Sequence, residues 1–415
     1  MKIVFIAQSE IFRDPRVLKE AISAKNAGCE VIVLCFGTAT DISENYQGIE
    51  IWRIPNKINR FQPIYRKCIK GIKRLFRIKT VEPLTKTYEI NYSANTKFFF
   101  PIVFAFVMYV LSNFLFFIET RKVHADLYHV ADLNMLFTGV LMKIKHSAKL
   151  VYDSHELWIE SLETGSKPLK SILMRYENFL IHFANSVITV NESIAEELSK
   201  RYTITKPEVI YNCPFYEEST VLAHPEEVRV IYQGRYQTGR GIEETILTAG
   251  YIKGRMFMRG IDDMPGKPYL NQLQGIAHDN DLQSKIDFID PVPMVDLVKG
   301  LEGYDIGIVP YKPVNLNNYY ATPNKIFEYL MAGMAVVGSD IPELRRIIIG
   351  ENVGAVFNPD DPHDIARSIN HIITEPGLLE RMKKNARRCS RETYNWEIQG
   401  GRLYKIYLRL VPESL

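Results

Sequence analysis

Apolar residues in this chain gather into short runs, and between the runs they recur every three or four positions. Residues 2–7 read as a strand. Asp14 caps a helix opened by Pro15 that stops near Gly28, and 30–36 is the next strand. The alternation resumes with a strand at 127–129, a helix from about Leu133 and a strand at 149–152. A helix over about 170–184, a strand at 187–190 and a helix over 192–201 capped by Asn191 follow. Around Pro207 and Pro214 the pattern loosens. It restarts with strands at 228–233, 255–258, 286–289, 306–309 and 335–338, each followed by a helical stretch. Short apolar strands separated by helices predict parallel sheets covered on both faces. The fold class is therefore α/β with two domains of doubly wound parallel sheet, 1–210 and 211–395, followed by 396–415.

One stretch departs from this rhythm. From Trp52 to Val81 there is no acidic residue, while Arg53, Lys57, Arg60, Arg66, Lys67, Lys70, Lys73, Arg74, Arg77 and Lys79 all occur. Tyr65, Cys68, Ile69, Ile72, Leu75 and Phe76 repeat within it at helical spacing. Such a basic amphipathic helix suits an anionic membrane surface; a solvated helix with one face on the core is the plainer alternative. Residues 98–118 then carry no charge, and roughly 20 apolar residues can span a bilayer. The strands on either side belong to one sheet and must lie on the same side of any membrane, so this run is expected to pack on the sheet. Together, about 57–118 form an insertion expected to face a membrane.

A chain of 415 residues exceeds one ordinary core. Its 51 basic and 48 acidic residues give a net charge of +3, which offers nothing for nucleic acid. The 5 cysteines are scattered, without any Cys-x-x-Cys pair, which disfavours structural zinc and favours a reducing compartment. Residues 1–7 lack the form of a cleavable signal, so a cytoplasmic, peripherally associated protein is expected.

The most specific stretch is Ala321-Thr322-Pro323-Asn324-Lys325-Ile326-Phe327-Glu328-Tyr329-Leu330-Met331-Ala332-Gly333. Thr322 reads as an N-cap, Pro323 as the first helical residue and Gly333 as the terminator. The start of such a helix, reinforced by Lys325, favours a phosphate. Glu328, a turn further on, can accept from both hydroxyls of a ribose. In the loop after the strand at 228–233, Arg235 and Arg240 can bracket a diphosphate. No Gly-x-Gly-x-x-Gly dinucleotide motif follows any strand.

Pro323-Asn324-Lys325 with Glu328, Tyr329 and Gly333, ahead of Val336-Val337-Gly338-Ser339, resembles the retaining family 4 of GT-B glycosyltransferases. So do Asp14-Pro15-Arg16-Val17, Val151-Tyr152-Asp153-Ser154-His155-Glu156, Val209-Ile210-Tyr211-Asn212, Tyr232-Gln233-Gly234-Arg235, Gly239-Arg240-Gly241 and Trp396. The resemblance implies two Rossmann-like domains facing a cleft and a last helix crossing back to the first domain. It implies transfer of a hexose from a nucleoside-diphosphate sugar to a membrane-associated acceptor, such as a lipid-linked glycan in surface polysaccharide synthesis, with no metal and no cofactor.

The same resemblance assigns His155, Arg235 and Arg240 to catalysis. It places Asn324, Lys325, Glu328, Ile289 and Tyr320 at the donor, with the backbone near Ile289 reading the base, and Tyr311 as a wall. Asp14, Arg16 and Glu156 fall on the acceptor side. His155 is expected as a neutral imidazole, its tautomer set by Asp153 or Glu156. Where the fuller family motif has a first glutamate, this chain has Tyr320. That departure keeps open a non-catalytic donor-binding or scaffold subunit, and a sugar-nucleotide epimerase is a further alternative.

Overall fold

The computed structural model describes residues 1–37, 43–55, 99–162, 167–218 and 227–412. The basic helix expected within 57–79 lies outside the described residues. Two compact units result. The first comprises Met1–Thr189, Leu198–Glu208 and Leu403–Leu415, the second Val190–Glu197 and Val209–Arg402. The chain changes unit after Thr189, Glu197, Glu208 and Arg402, the third beside the expected 210 and the last inside the helix at 396–410. Side chains account for the first switch. Asn191 donates to the Tyr320 carbonyl (2.8 Å) and to Thr322 Oγ1 (3.1 Å), and Ser193 donates through both its N–H and its hydroxyl to Glu343.

In the first unit the chain forms β1 (Lys2–Ala7), α1 (Pro15–Asn26), β2 (Glu30–Gly37), β3 (Ser43–Tyr46), β4 (Ile49–Pro55) and α2 (Phe99–Thr120). Then come β5 (Leu127–Ala131), α3 (Asp132–His146), β6 (Lys149–Ser154), α4 (Trp158–Ser161), α5 (Lys167–Ile181), β7 (Ser186–Thr189), α6 (Glu192–Tyr202), which belongs to this unit only from Leu198, and β8 (Glu208–Val209). The sheet order is β3-β4-β2-β1-β5-β6-β7-β8, parallel along β4-β2-β1-β5-β6-β7, with β3 antiparallel on β4. As expected, α2 packs on the sheet: Phe116 is buried with its ring against Phe36, and the Tyr109 hydroxyl donates to the Leu133 carbonyl. Val107 and Phe114 on the same helix remain exposed. Among the described residues no helix is long and apolar enough to cross a membrane.

The second unit contains β9 (Arg229–Arg235), α7 (Ile242–Thr248), β10 (Arg255–Ile261), α8 (Pro268–Asp279), β11 (Ile286–Ile289), β12 (Ile306–Val309), α9 (Leu316–Tyr319) and α10 (Lys325–Met331). It continues with β13 (Ala335–Ser339), α11 (Pro342–Gly350), β14 (Gly354–Phe357), α12 (Pro362–Thr374), α13 (Leu378–Glu392) and α14 (Trp396–Leu410), the last entering the first unit at Leu403. Its sheet, β11-β10-β9-β12-β13-β14, is parallel throughout. Strand residues alternate between two cores. Val230, Tyr232, Met256 and Met258 enter one, while Ile231 and Phe257 enter the other. Burial on both faces is why these strands read as continuous apolar runs.

Candidate functional site

Parallel sheets of this kind bind ligands beyond the carboxyl ends of their strands. In the second unit that edge gathers most of the residues expected at the donor. Helix α10 starts at Lys325 with Asn324 as its N-cap, and no side chain caps it. Thr322 is therefore not the cap: its hydroxyl accepts from Asn191, and Asn324 Oδ1 accepts from Asn212. Gly333 does end the helix, at φ +70°.

Starting the helix at Lys325 turns that side chain inward. Its ammonium is buried, lies 3.8 Å from the centre of the Tyr232 ring and has no hydrogen-bond partner. Burial, helped by the Arg240 charge and opposed by Glu328, pulls this amine from 10.5 down to about 7. Gly234 fits here for a specific reason. Its φ of +145° disfavours side chains, and a Cβ would stand 2.8 Å from Lys325 Nζ. Arg240 lies over the Tyr311 ring, 5.2 Å from its centre. Two basic side chains, one of them an unpaired amine, beside a glycine backbone suit an anion with several oxygens.

Arg235 does not join this pair as expected. It is exposed and bridges to Asp263 at 3.0 Å, at the rim of a cavity of about 200 Å³. Gln233, Gly234, Arg259, Pro291, Val292 and Leu297 also line that cavity. Ile289 ends β11 opposite Arg259 in the sheet, so the 289–292 loop does border it. Two residues the sequence reading missed, Gln233 and Arg259, stand behind Glu328. Gln233 Nε2 donates to Glu328 Oε2 (3.1 Å), and Arg259 Nη1 donates to Gln233 Oε1 (3.1 Å). Tyr320 follows α9, its carbonyl held by Asn191 and its ring 5.2 Å from that of Tyr319.

The first unit has its own polar cluster, at the ends of β5 and β6. Arg16 was expected to line the acceptor side. It is instead buried, donating through Nε (2.8 Å) and Nη2 (3.0 Å) to the two oxygens of Asp153. Glu20 lies 3.1 Å from Arg16 Nε and 3.2 Å from His129 Nε2, and the Tyr407 hydroxyl meets His129 Nδ1 at 2.8 Å. His155 stands at the edge of this cluster. Its Nε2 is 3.0 Å from Asp153 Oδ2, its Nδ1 3.5 Å from Asp132 Oδ2, and its backbone N–H donates to Asp132 Oδ1. Burial alone would lower the imidazole, but Asp132 and Asp153 raise it to about 10. Two carboxylates flank the ring where one was foreseen, and they favour its protonated form over the neutral one expected.

Asp132, also missed by the sequence reading, holds φ +58° at the turn between β5 and α3. Asp14 caps α1 as expected, accepting from the Val17 N–H. Glu156 accepts from the Ser161 hydroxyl. Glu20, Asp153 and His155 present ligand atoms close enough to share a metal ion. The Arg16 guanidinium already pairs with both carboxylates, however, and supplies the positive charge there.

The profile described as "Glycosyl transferases group 1" matches residues 217–389, and that described as "Glycosyltransferase Family 4" matches 86–213. The chain is a GT-B glycosyltransferase. An uncharacterized glycosyltransferase of Methanocaldococcus jannaschii is 26% identical over 66% of this chain and 72% of its own length. A protein of Candida albicans named chitobiosyldiphosphodolichol beta-mannosyltransferase is 21% identical over 64% of each. Among solved structures, sucrose-phosphate synthase of Thermosynechococcus elongatus superposes with a TM-score of 0.69 at 16% identity, covering 100% of both chains. An Anabaena protein in complex with UDP gives 0.67 at 14% identity, over 99% of this chain and 100% of its own. At such identities these two likenesses show the GT-B fold of this glycosyltransferase, two Rossmann-like domains, and nothing finer.

Proposed function

We propose that this glycosyltransferase transfers a hexose with retention from a nucleoside-diphosphate sugar to a membrane-associated, lipid-linked glycan in surface polysaccharide assembly. The observation that carries the donor class is Lys325: a buried ammonium with no partner, beside Arg240 and the Gly234 backbone, with Glu328 one turn along. A diphosphate supplies the anion that the amine lacks, and a ribose supplies hydroxyls to the Glu328 carboxylate. Lys325 and Arg240 then stabilise charge on the departing diphosphate, which is the task a divalent metal performs elsewhere. His155, flanked by Asp132 and Asp153, holds its protons and serves as a donor to the sugar. A group already protonated is a poor base, which favours proton transfer from the acceptor hydroxyl to the leaving phosphate.

The acceptor class rests on other features. Val107 and Phe114 on α2, Ile144 on α3 and Phe179 on α5 are exposed apolar side chains of the first unit, and the polybasic sequence lies in the stretch between β4 and α2. Together they suit a protein held peripherally on the cytoplasmic face of an anionic membrane. The Candida relative is named for a lipid-linked acceptor, and a Bacillus subtilis relative, 24% identical over 60% of this chain and 64% of its own length, for teichuronic acid biosynthesis.

A screen of UDP- and GDP-sugars for slow hydrolysis, with and without EDTA, tests the donor class and metal independence. The expected result is EDTA-insensitive turnover of one donor. The anomeric configuration of the transferred sugar tests retention, and flotation with anionic against neutral vesicles tests the membrane.

A further inference from the structure

We infer that Gln233, held by Arg259, is a positioning residue that aims the Glu328 carboxylate at the ribose and so sets preference for ribonucleotides over deoxyribonucleotides. This rests on the donor reading above and extends it to residues that need not touch the donor.

Glu328 lies on α10, a short helix of Lys325–Met331, and a carboxylate there has several rotamers open to it. A ribose diol is read only if one oxygen points steadily at it. The structure supplies a fixed anchor behind that oxygen. Gln233, on β9, is buried, and its backbone N–H donates to the Tyr329 hydroxyl, which fixes the strand against α10. Its amide nitrogen divides its two hydrogens between Glu328 Oε2 and the Leu297 carbonyl, both at 3.1 Å. Its amide oxygen accepts from Arg259 Nη1, which also donates to the Gly300 carbonyl at 2.6 Å.

Those contacts determine which way the amide faces. A flipped amide would point its oxygen at Glu328 and the Leu297 carbonyl, and its NH2 at a guanidinium, leaving three repulsive contacts. Arg259 thus acts as the lock, Gln233 as the arm and Glu328 as the reader. Arg259 is itself buried, 5.5 Å from the centre of the Tyr304 ring, and its Nε has no hydrogen-bond partner. Asp263 and Arg235 line the same cavity but pair with each other.

Binding of UDP and 2′-deoxy-UDP, and in parallel GDP and 2′-deoxy-GDP, to the full chain by calorimetry tests this. Wild type should prefer the ribonucleotide about tenfold or more, the scale of one hydrogen bond to a charged acceptor. Gln233→Met should cut that preference to about twofold while binding the deoxynucleotide almost as well as wild type does, because only the diol reader has been loosened. Arg259→Met should reduce the preference too, which keeps the test decisive if the buried Gln233 variant does not fold. In a Glu328→Ala background neither substitution should change the preference further, as expected for residues acting through one carboxylate. A full ribonucleotide preference retained in folded Gln233→Met and Arg259→Met proteins would overturn the inference. If wild type binds none of the four nucleotides, the donor reading itself is overturned, and if it binds ribo- and deoxy-forms alike, the ribose role of Glu328 fails.

Discussion

The two units each bury charge at the ends of their central strands, yet they treat it in opposite ways. In the first, Asp153 is hydrogen-bonded to Arg16 and His155, Glu20 lies at ion-pair distance from Arg16 and His129 although neither of its oxygens is hydrogen-bonded, and Tyr407 closes the set from the last helix. In the second, Lys325 is buried without any acceptor, next to a second cation. A charge already answered by its neighbours holds the fold, whereas a charge left unanswered costs stability until something binds. The difference separates structural from ligand-directed residues more sharply than conspicuous sequence does, since Arg16 and Lys325 both sit in recognisable motifs.

The largest effect should come from breaking the answered cluster. Arg16→Ala leaves Asp153 and Glu20 facing each other without their cation, and should cost about 3–5 kcal/mol in urea unfolding of the first unit or prevent folding. A loss below about 1 kcal/mol would put Arg16 back on the acceptor side. Next in size, His155→Ala should lower turnover about a hundredfold, the scale of one preorganised polar contact, with nucleotide affinity unchanged.

Lys325→Met should do the reverse of Arg16→Ala. It removes an unpaired buried cation, so the free protein should be no less stable, while nucleoside-diphosphate binding should weaken by about 1.5–3 kcal/mol. The sign with pH follows. The folded amine keeps its proton only below about 7, the unfolded one up to 10.5. Between those values the unfolded chain binds more protons, so stability of the free protein should rise with pH, and Lys325→Met should flatten that rise. The smallest effect is expected at Tyr320→Phe, within several-fold of wild-type activity, since its carbonyl rather than its hydroxyl carries the contact to Asn191.

Most of the architecture was legible because doubly buried strands leave unbroken apolar runs. Strands β3 and β4 were not, as Ser43–Tyr46 is largely exposed and polar and Glu50, Trp52 and Arg53 interrupt the apolar positions of Ile49–Pro55. Nor was β14, Gly354–Phe357, which opens on a glycine and buries only its two end residues. At the site, residue types that suit phosphate and diol were visible in 324–328. Their supports were not. Gln233 and Arg259 lie on different strands, 26 residues apart, and meet only through the register of β9 and β10. Asp132 reads as an ordinary first-turn acid, and its approach to His155 depends on the pairing of β5 with β6. The N-cap was misplaced by two residues because Thr322 has the right chemistry for capping and is recruited by Asn191 instead.

The account turns on Lys325 as the unanswered charge that a diphosphate completes, and calorimetry of UDP and GDP binding between pH 7.5 and 9 tests it most directly. The terminal phosphate, with a second pKa of about 6, is already ionised throughout that window. The free amine is mostly neutral there and must recover its proton when the diphosphate arrives. Wild type should therefore take up close to one proton per nucleotide and lose up to about tenfold in affinity per pH unit, and Lys325→Met should do neither. Nucleotide affinity that is independent of pH, with no proton taken up and no loss in Lys325→Met, would contradict it.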